Sequence, residues 1–166
     1  MTSERVVRRL AAILAADVVG YSRLMGRDEH GTVSRLKAHR TERLEPIVAR
    51  QGGRLVKLTG DGALMEFPSA VDALSAAIQF QQAMVDANRA QPEETRIEFR
   101  IGLHLGDLIV DGDDLYGDGV NVAARLEAQA PAAGIVISGN VHDAVSGRLR
   151  AGFDDLPSGR AWGRSR

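Results

Sequence analysis

Leu10 to Val19 is an almost unbroken apolar run, interrupted only by Asp17 near its end and closed by Gly20-Tyr21-Ser22. Continuity without polar alternation predicts an interior strand covered on both faces. The period then changes. Between Glu29 and Arg50, Val33, Leu36, Leu44, Ile47 and Val48 recur at near-helical spacing, and Gly52-Gly53 supply the stop. Pro46 inside that span predicts a kink or a split. Arg54 to Thr59 and Ala63 to Phe67 are short strand candidates around Gly60-Asp61-Gly62, a hairpin signal that puts Asp61 on a tight loop.

Ser69 is placed to cap a helix running to Asn88, whose Val71, Leu74, Ala77, Ile78, Gln81 and Val85 form one face. Gln91-Pro92-Glu93-Glu94 breaks the pattern, after which Ile97, Phe99, Ile101 and Leu103 alternate as in a strand that resumes at Leu108 to Val110. Asp111 to Asp114 reads as a loop, Gly119 to Ala130 as an Ala-rich helix, and Gly134 to Ser138 as a strand. Asn140 would cap a short helix from Val141 to Arg148. The succession of strands and helices, with no internal repeat, predicts an α/β chain of the α+β sandwich kind, a mixed sheet flanked by helices. One domain over residues 10–156 is expected, with an N-terminal arm at 1–9. Residues 157–166 have a Gly/Ser/Arg bias and no periodicity, which predicts a disordered tail.

Composition narrows the class. With 166 residues, 44% of them hydrophobic, the chain can build a single core. A formal net charge of −1 gives no global basic field, so a nucleic-acid partner is not expected. The absence of cysteine excludes disulfides, zinc thiolates and thiol nucleophiles, and makes the cytoplasm the default location. The Leu10–Val19 run is about half the length of a membrane span and carries Asp17, so neither a span nor a signal peptide is expected despite Arg5, Arg8 and Arg9 before it.

Three pairs of polar residues point to nucleotide chemistry. Asp17 and Asp61 are carboxylates at a strand end and a turn, the hard oxygen donors that Mg²⁺ uses with nucleotide phosphates. An ionised Asp closing an apolar strand is expensive to bury without a positive neighbour. Lys57 and Asp114 offer a donor and an acceptor that together suit the edge of adenine and disfavour guanine. Lys37 and Lys57 are the only lysines among 21 Lys and Arg residues, which suggests that a compact ammonium is wanted at Lys57. Asn121 and Arg125, four apart on one helix, fall on one face about 6 Å apart along the axis, where an amide and a guanidinium could meet phosphates. Taken singly, each has an ordinary structural place: a turn cap, a hairpin Asp-Gly, a solvated strand lysine, an acidic loop, a solvated helix face. Their co-occurrence in order is what argues for function.

The residues resemble the class III nucleotidyl cyclases, specifically bacterial adenylate cyclase catalytic domains. Ala16-Asp17-Val18-Val19-Gly20-Tyr21-Ser22 is similar to the family's first metal strand, and Lys57-Leu58-Thr59-Gly60-Asp61-Gly62 to its base-reading Lys and second metal Asp. The stretch from Asp114 through Asn121 to Arg125 is similar to the segment with the second base-reading residue, the ribose-orienting Asn and the transition-state Arg. The resemblance implies a ferredoxin-like mixed sheet. It also implies cyclisation of ATP to 3′,5′-cyclic AMP and pyrophosphate with two divalent ions, Mg²⁺ or Mn²⁺, held by Asp17, Asp61 and the Val18 backbone carbonyl. It implies further a homodimer in which one protomer gives Asp17 and Asp61 and the other Lys57, Asp114, Asn121 and Arg125. Family domains continue through a further hairpin after a segment like Phe153 to Leu156, and residues 157–166 lack a strand pattern. That shortening raises the alternative of a non-catalytic or partner-dependent cyclase-homology module.

Overall fold

The computed structural model describes residues 6–111, 114–149, 151–156 and 159–162; within these, the side chains of Val6, Asp114, Leu115, Asp154 and Asp155 lie outside the description. The first half of the chain forms β1 (Val6–Val18), α1 (Tyr21–Arg27), α2 (Glu29–His39), α3 (Glu45–Arg50), β2 (Arg54–Thr59), β3 (Gly62–Phe67) and α4 (Ala70–Arg89). The second half forms β4 (Phe99–Asp111), β5 (Asp114–Tyr116), α5 (Asp118–Gln129), β6 (Ile135–Ile137), α6 (Gly139–Val145), β7 (Asp154–Leu156) and β8 (Gly159–Trp162). The strands make one mixed sheet in the order β2-β3-β1-β4-β6-β8-β7, with β5 folded back on β4. Only β4 and β6 are parallel among the described pairs. This is the expected sheet flanked by helices.

The unbroken apolar run of β1 follows from its place between two layers. Ala12, Leu14, Ala16 and Val18 enter the larger core with Leu74, Phe80 and Met84 of α4. Ala11, Ile13 and Ala15 enter a smaller core with Leu108 of β4 and Ala123 of α5. Both faces are therefore buried, as continuity predicts. On β4 the faces differ: Phe99, Ile101 and Leu103 join the larger core, while Arg100, Gly102 and His104 alternate toward α5. Gly102 lets the helix come close, because a Cβ there would stand 2.3 Å from both the Ala123 carbonyl oxygen and the Glu127 nitrogen.

The expected helix split occurs just before Pro46. The ladder loosens into a π-type segment over Arg40–Leu44, and the Glu45 N–H reaches back to the Arg40 carbonyl. A proline ring crowds the carbonyl four residues earlier and removes a donor, so a wider turn relieves the clash. Ser69 caps α4 as expected, accepting from the Asp72 N–H at 3.3 Å.

Three expectations need correction, and one helix adds to the pattern. Residues 6–9 are not an arm: β1 starts at Val6 and pairs with β4 along its whole length, Val6 opposite Asp111 and Val18 opposite Phe99. That pairing is available because β4 runs unbroken through Gly106-Asp107. α1, absent from the hydrophobic pattern, begins after Gly20, whose φ of +64° turns the chain sharply. α6 starts at Gly139 with Ser138 as its cap position, and Asn140 instead donates its side-chain amide to the Leu105 carbonyl. Finally, residues 159–162, expected to lie in a tail, form β8, paired with β6 and with β7. Four residues are too few to show periodicity, and their partners lie far away in sequence. Gly159 is needed there because a Cβ would meet the Ile137 carbonyl oxygen at 2.3 Å. Residues 157–158 and 163–166 lie outside the described residues. No helix among the described residues is long and apolar enough to cross a membrane.

Candidate active site

Asp17 lies one residue before the end of β1, on the α5 side, with its side chain 24% exposed. Its direct cross-strand partner is Arg100. Arg100 Nε and Nη2 donate to the two Asp17 carboxylate oxygens, each at 3.3 Å. Asp61 arrives from the neighbouring hairpin. Gly60 and Asp61 form the tight turn between Thr59 and Gly62, Gly60 taking a φ of +54°. Because Ala63 is paired with Ala16, the turn passes the end of β1, and the Val18 N–H donates to Asp61 Oδ2 at 3.3 Å. The two carboxylates thus meet at the carboxyl end of one buried strand.

Glu127 of α5 joins them. Burial pushes its carboxyl up to about 8, helped by a hydrogen bond with Asp17 and by the negative charge of Asp17 and Asp61, while Arg100 pulls the other way. Negative charge is therefore crowded here beyond what Arg100 balances. A cleft of about 280 Å³ opens over these groups, bordered by Asp17, Lys57, Thr59, Asp61 and Glu127. A larger cleft of about 340 Å³ lies beside α4 and carries none of these residues.

The donor set fits a hard divalent cation. Among the described residues no cluster of three or more His, Cys, Asp or Glu side chains forms a closed metal cage. Two carboxylates are what Mg²⁺ commonly takes from a protein, with phosphate and water completing its shell.

The other expected site residues separate. Lys57 is exposed on β2 and borders the same cleft as Asp17 and Asp61. Asn121 and Arg125 sit on the exposed face of α5, opposite the face that buries Ala123, Leu126 and Glu127. The Arg125 charge reaches His104, whose imidazole pKa is lowered by burial and by Arg125 against the pull of Asp118. Asp114 opens β5 opposite Asp111, and its side chain lies outside the described residues. Arg100 and Glu127 were missed from the sequence. The available signal was a charged residue alternating with Phe99 and Ile101, legible only once β4 is set beside β1.

Residues 8–159 match the family model for the adenylate and guanylate cyclase catalytic domain. A Rhizobium meliloti protein named "Putative adenylate cyclase 3" is 54% identical over 155 residues, 93% of this chain and 26% of that protein. An adenylate cyclase of Streptomyces coelicolor is 32% identical over 134 residues, 81% of this chain and 34% of that protein. The chain therefore spans about a quarter to a third of the length of these curated relatives. The crystal structure of an adenylate/guanylate cyclase/hydrolase from Silicibacter pomeroyi aligns with a TM-score of 0.90 at 41% identity, covering 97% of this chain and 100% of that one. An adenylyl cyclase from P. aeruginosa shares the fold at a TM-score of 0.80 with 21% identity over 98% of this chain and 97% of that one. A match to the family model over nearly the whole chain, joined to the same fold, makes this protein a member of the class III nucleotidyl cyclases, an adenylate and guanylate cyclase catalytic domain.

Proposed function

We propose that the chain is an adenylate cyclase that forms 3′,5′-cyclic AMP and pyrophosphate from ATP at a homodimer interface. The carrying observation is the division of the polar residues: Asp17 and Asp61 converge on one cleft, while Asn121 and Arg125 are exposed on the outer face of α5. A second copy turned about a two-fold axis would supply the missing half to each cleft, twice over. Exposed Leu58, beside Lys57, and Tyr116, in β5, offer apolar area for such a contact. The names of the relatives in Rhizobium meliloti and Streptomyces coelicolor favour ATP.

In this reading Lys57 and Asp114 of one protomer receive the adenine edge and Asn121 orients the ribose. Arg125 faces the α-phosphate and offsets the charge that grows there as the ribose 3′-oxygen bonds to phosphorus and the bond to pyrophosphate breaks. Asp17, Asp61 and the Val18 carbonyl of the other protomer would hold two divalent ions. When bound, these supply positive charge that eases loss of the 3′-hydroxyl proton and balances the triphosphate. The pairing of Gly159–Trp162 with β6 and β7 supports this reading over a non-catalytic module, because it adds a strand to the sheet beyond Leu156.

The test is ATP turnover across protein concentration with Mg²⁺ or Mn²⁺. Cyclic AMP should appear with second-order onset in protein; demonstrably dimeric protein that makes none would sink the proposal.

A further inference from the structure

Arg100 is held at more points than a chance surface pair. Its Nε and Nη2 engage both Asp17 oxygens at 3.3 Å, its Nε also lies 3.8 Å from Glu127 Oε2, and its Nη1 donates to the Ala128 carbonyl at 3.5 Å. Two independent features of the fold put it there. The β1–β4 register makes Asp17 and Arg100 direct partners. Ala128 belongs to the last turn of α5, where unsatisfied carbonyls carry the negative end of the helix dipole. The side chains are 32% and 24% exposed, so water reaches the pair and the guanidinium can leave it.

We propose that Arg100 is an internal competitor of the divalent cation at Asp17, so that the nucleotide-free chain takes up cation only when its own guanidinium lets go. This rests on the reading of Asp17 as a cation ligand. A planar guanidinium placing two N–H groups on one carboxylate engages both oxygens and sets a full positive charge beside them, so a cation binding there competes with it for the same carboxylate. Displacement does not strand the charge. The Ala128 carbonyl and a Glu127 carboxyl oxygen lie on the α5 side of the same guanidinium, at 3.5 and 3.8 Å, as acceptors for it when Asp17 is withdrawn. The pair is thus a poised contact with a second resting place built next to it. In this role Arg100 is a positioning residue, acting through Asp17.

The measurement is Mn²⁺ binding to nucleotide-free protein, followed by the electron paramagnetic resonance of free Mn²⁺. Four proteins are compared: wild type, Arg100→Gln, Arg100→Lys and Asp17→Asn. Arg100→Gln should bind Mn²⁺ about tenfold more tightly than wild type, because one opposing charge and its two hydrogen bonds are gone. Arg100→Lys keeps the charge without the two-pronged grip and should fall between. A residue that only supports the fold would move affinity the other way on removal. Affinity in Arg100→Gln equal to or below wild type, with an unchanged unfolding midpoint, overturns the competition. Should Arg100→Gln fail to fold, Arg100→Lys decides alone: tighter binding supports the competition, and unchanged or weaker binding overturns it. Asp17→Asn separates this proposal from the one beneath it. Lost Mn²⁺ binding in Asp17→Asn beside unchanged binding in Arg100→Gln leaves the cyclase site standing and removes the competition; unchanged binding in Asp17→Asn removes Asp17 as a cation ligand and the competition with it.

Discussion

The Val18 N–H donates to the Asp61 carboxylate at 3.3 Å and so ties the β2–β3 turn to the end of β1. Asp61 therefore has a structural task as well as its proposed chemical one. Asp61→Asn retains a carbonyl oxygen for Val18 and loses the charge. It should unfold at nearly the wild-type temperature yet lower the cyclisation rate by roughly 10² or more. Thermal unfolding and cyclic AMP production on the same preparation check this, and parallel losses in both would mean that Asp61 is structural only.

Lys57 borders the same cleft as Asp17 and Asp61 within one chain, yet the proposed dimer gives it to the partner's nucleotide. Mixing two inactive proteins resolves this. Asp17→Ala mixed with Lys57→Glu leaves one intact site per heterodimer if Lys57 works with the partner's carboxylates, and none if it works with its own. We expect partial recovery of activity, as for Asp17→Ala mixed with Arg125→Ala. Recovery only in the Arg125 mixture would reassign Lys57.

Gly102 sets the approach of α5. A methyl group there meets the backbone of Ala123 and Glu127 at 2.3 Å, and backbone cannot step aside as a side-chain tip can. Gly102→Ala should cost about 1–3 kcal/mol in urea unfolding and should lower activity by moving Asn121 and Arg125. Gly26→Ala, in α1 with nothing within 4 Å, is the control and should be neutral or stabilising by up to about 1 kcal/mol.

Two carboxylates should shift stability with pH in opposite senses. Burial works to raise the pKa of Glu66, but hydrogen bonds from Arg9 and Arg54, both at 2.7 Å, outweigh it and hold the carboxyl below its ordinary 4.5. Its stabilisation is present above 4.5 and lost as pH falls through the lower folded value. Glu66→Gln should therefore destabilise by about 1–3 kcal/mol at neutral pH, and the difference from wild type should vanish in acid. Glu127 behaves the other way. With its carboxyl at about 8 in the folded chain and 4.5 unfolded, the native state holds the extra proton, so stability falls as pH rises through that window. Glu127→Gln should flatten the fall in unfolding midpoints between pH 5 and pH 8, and an unaltered slope would contradict the crowding of charge at the site.

Sequence by itself reached the class of fold and nominated six polar positions, because the patterns behind both are written locally. A strand buried on two faces must be apolar throughout, as Leu10 to Val19 is, and an i, i+4 pair such as Asn121 and Arg125 shares a face in any helix. Pro46 and Ser69 act on their own turns, so the helix split and the cap were also legible. What the pattern could not carry were relations across the chain. Arg100 opposite Asp17, Glu127 pressed against both, the pairing of Gly159–Trp162 with β6 and the extension of β1 to Val6 all depend on register between segments distant in sequence. Hydrogen bonding between strands, and the close seat of α5 on Gly102, selected those partners. The residue types of the candidate site are thus set along the chain, while the charge balance around Asp17 was decided only where the strands and the helix came together.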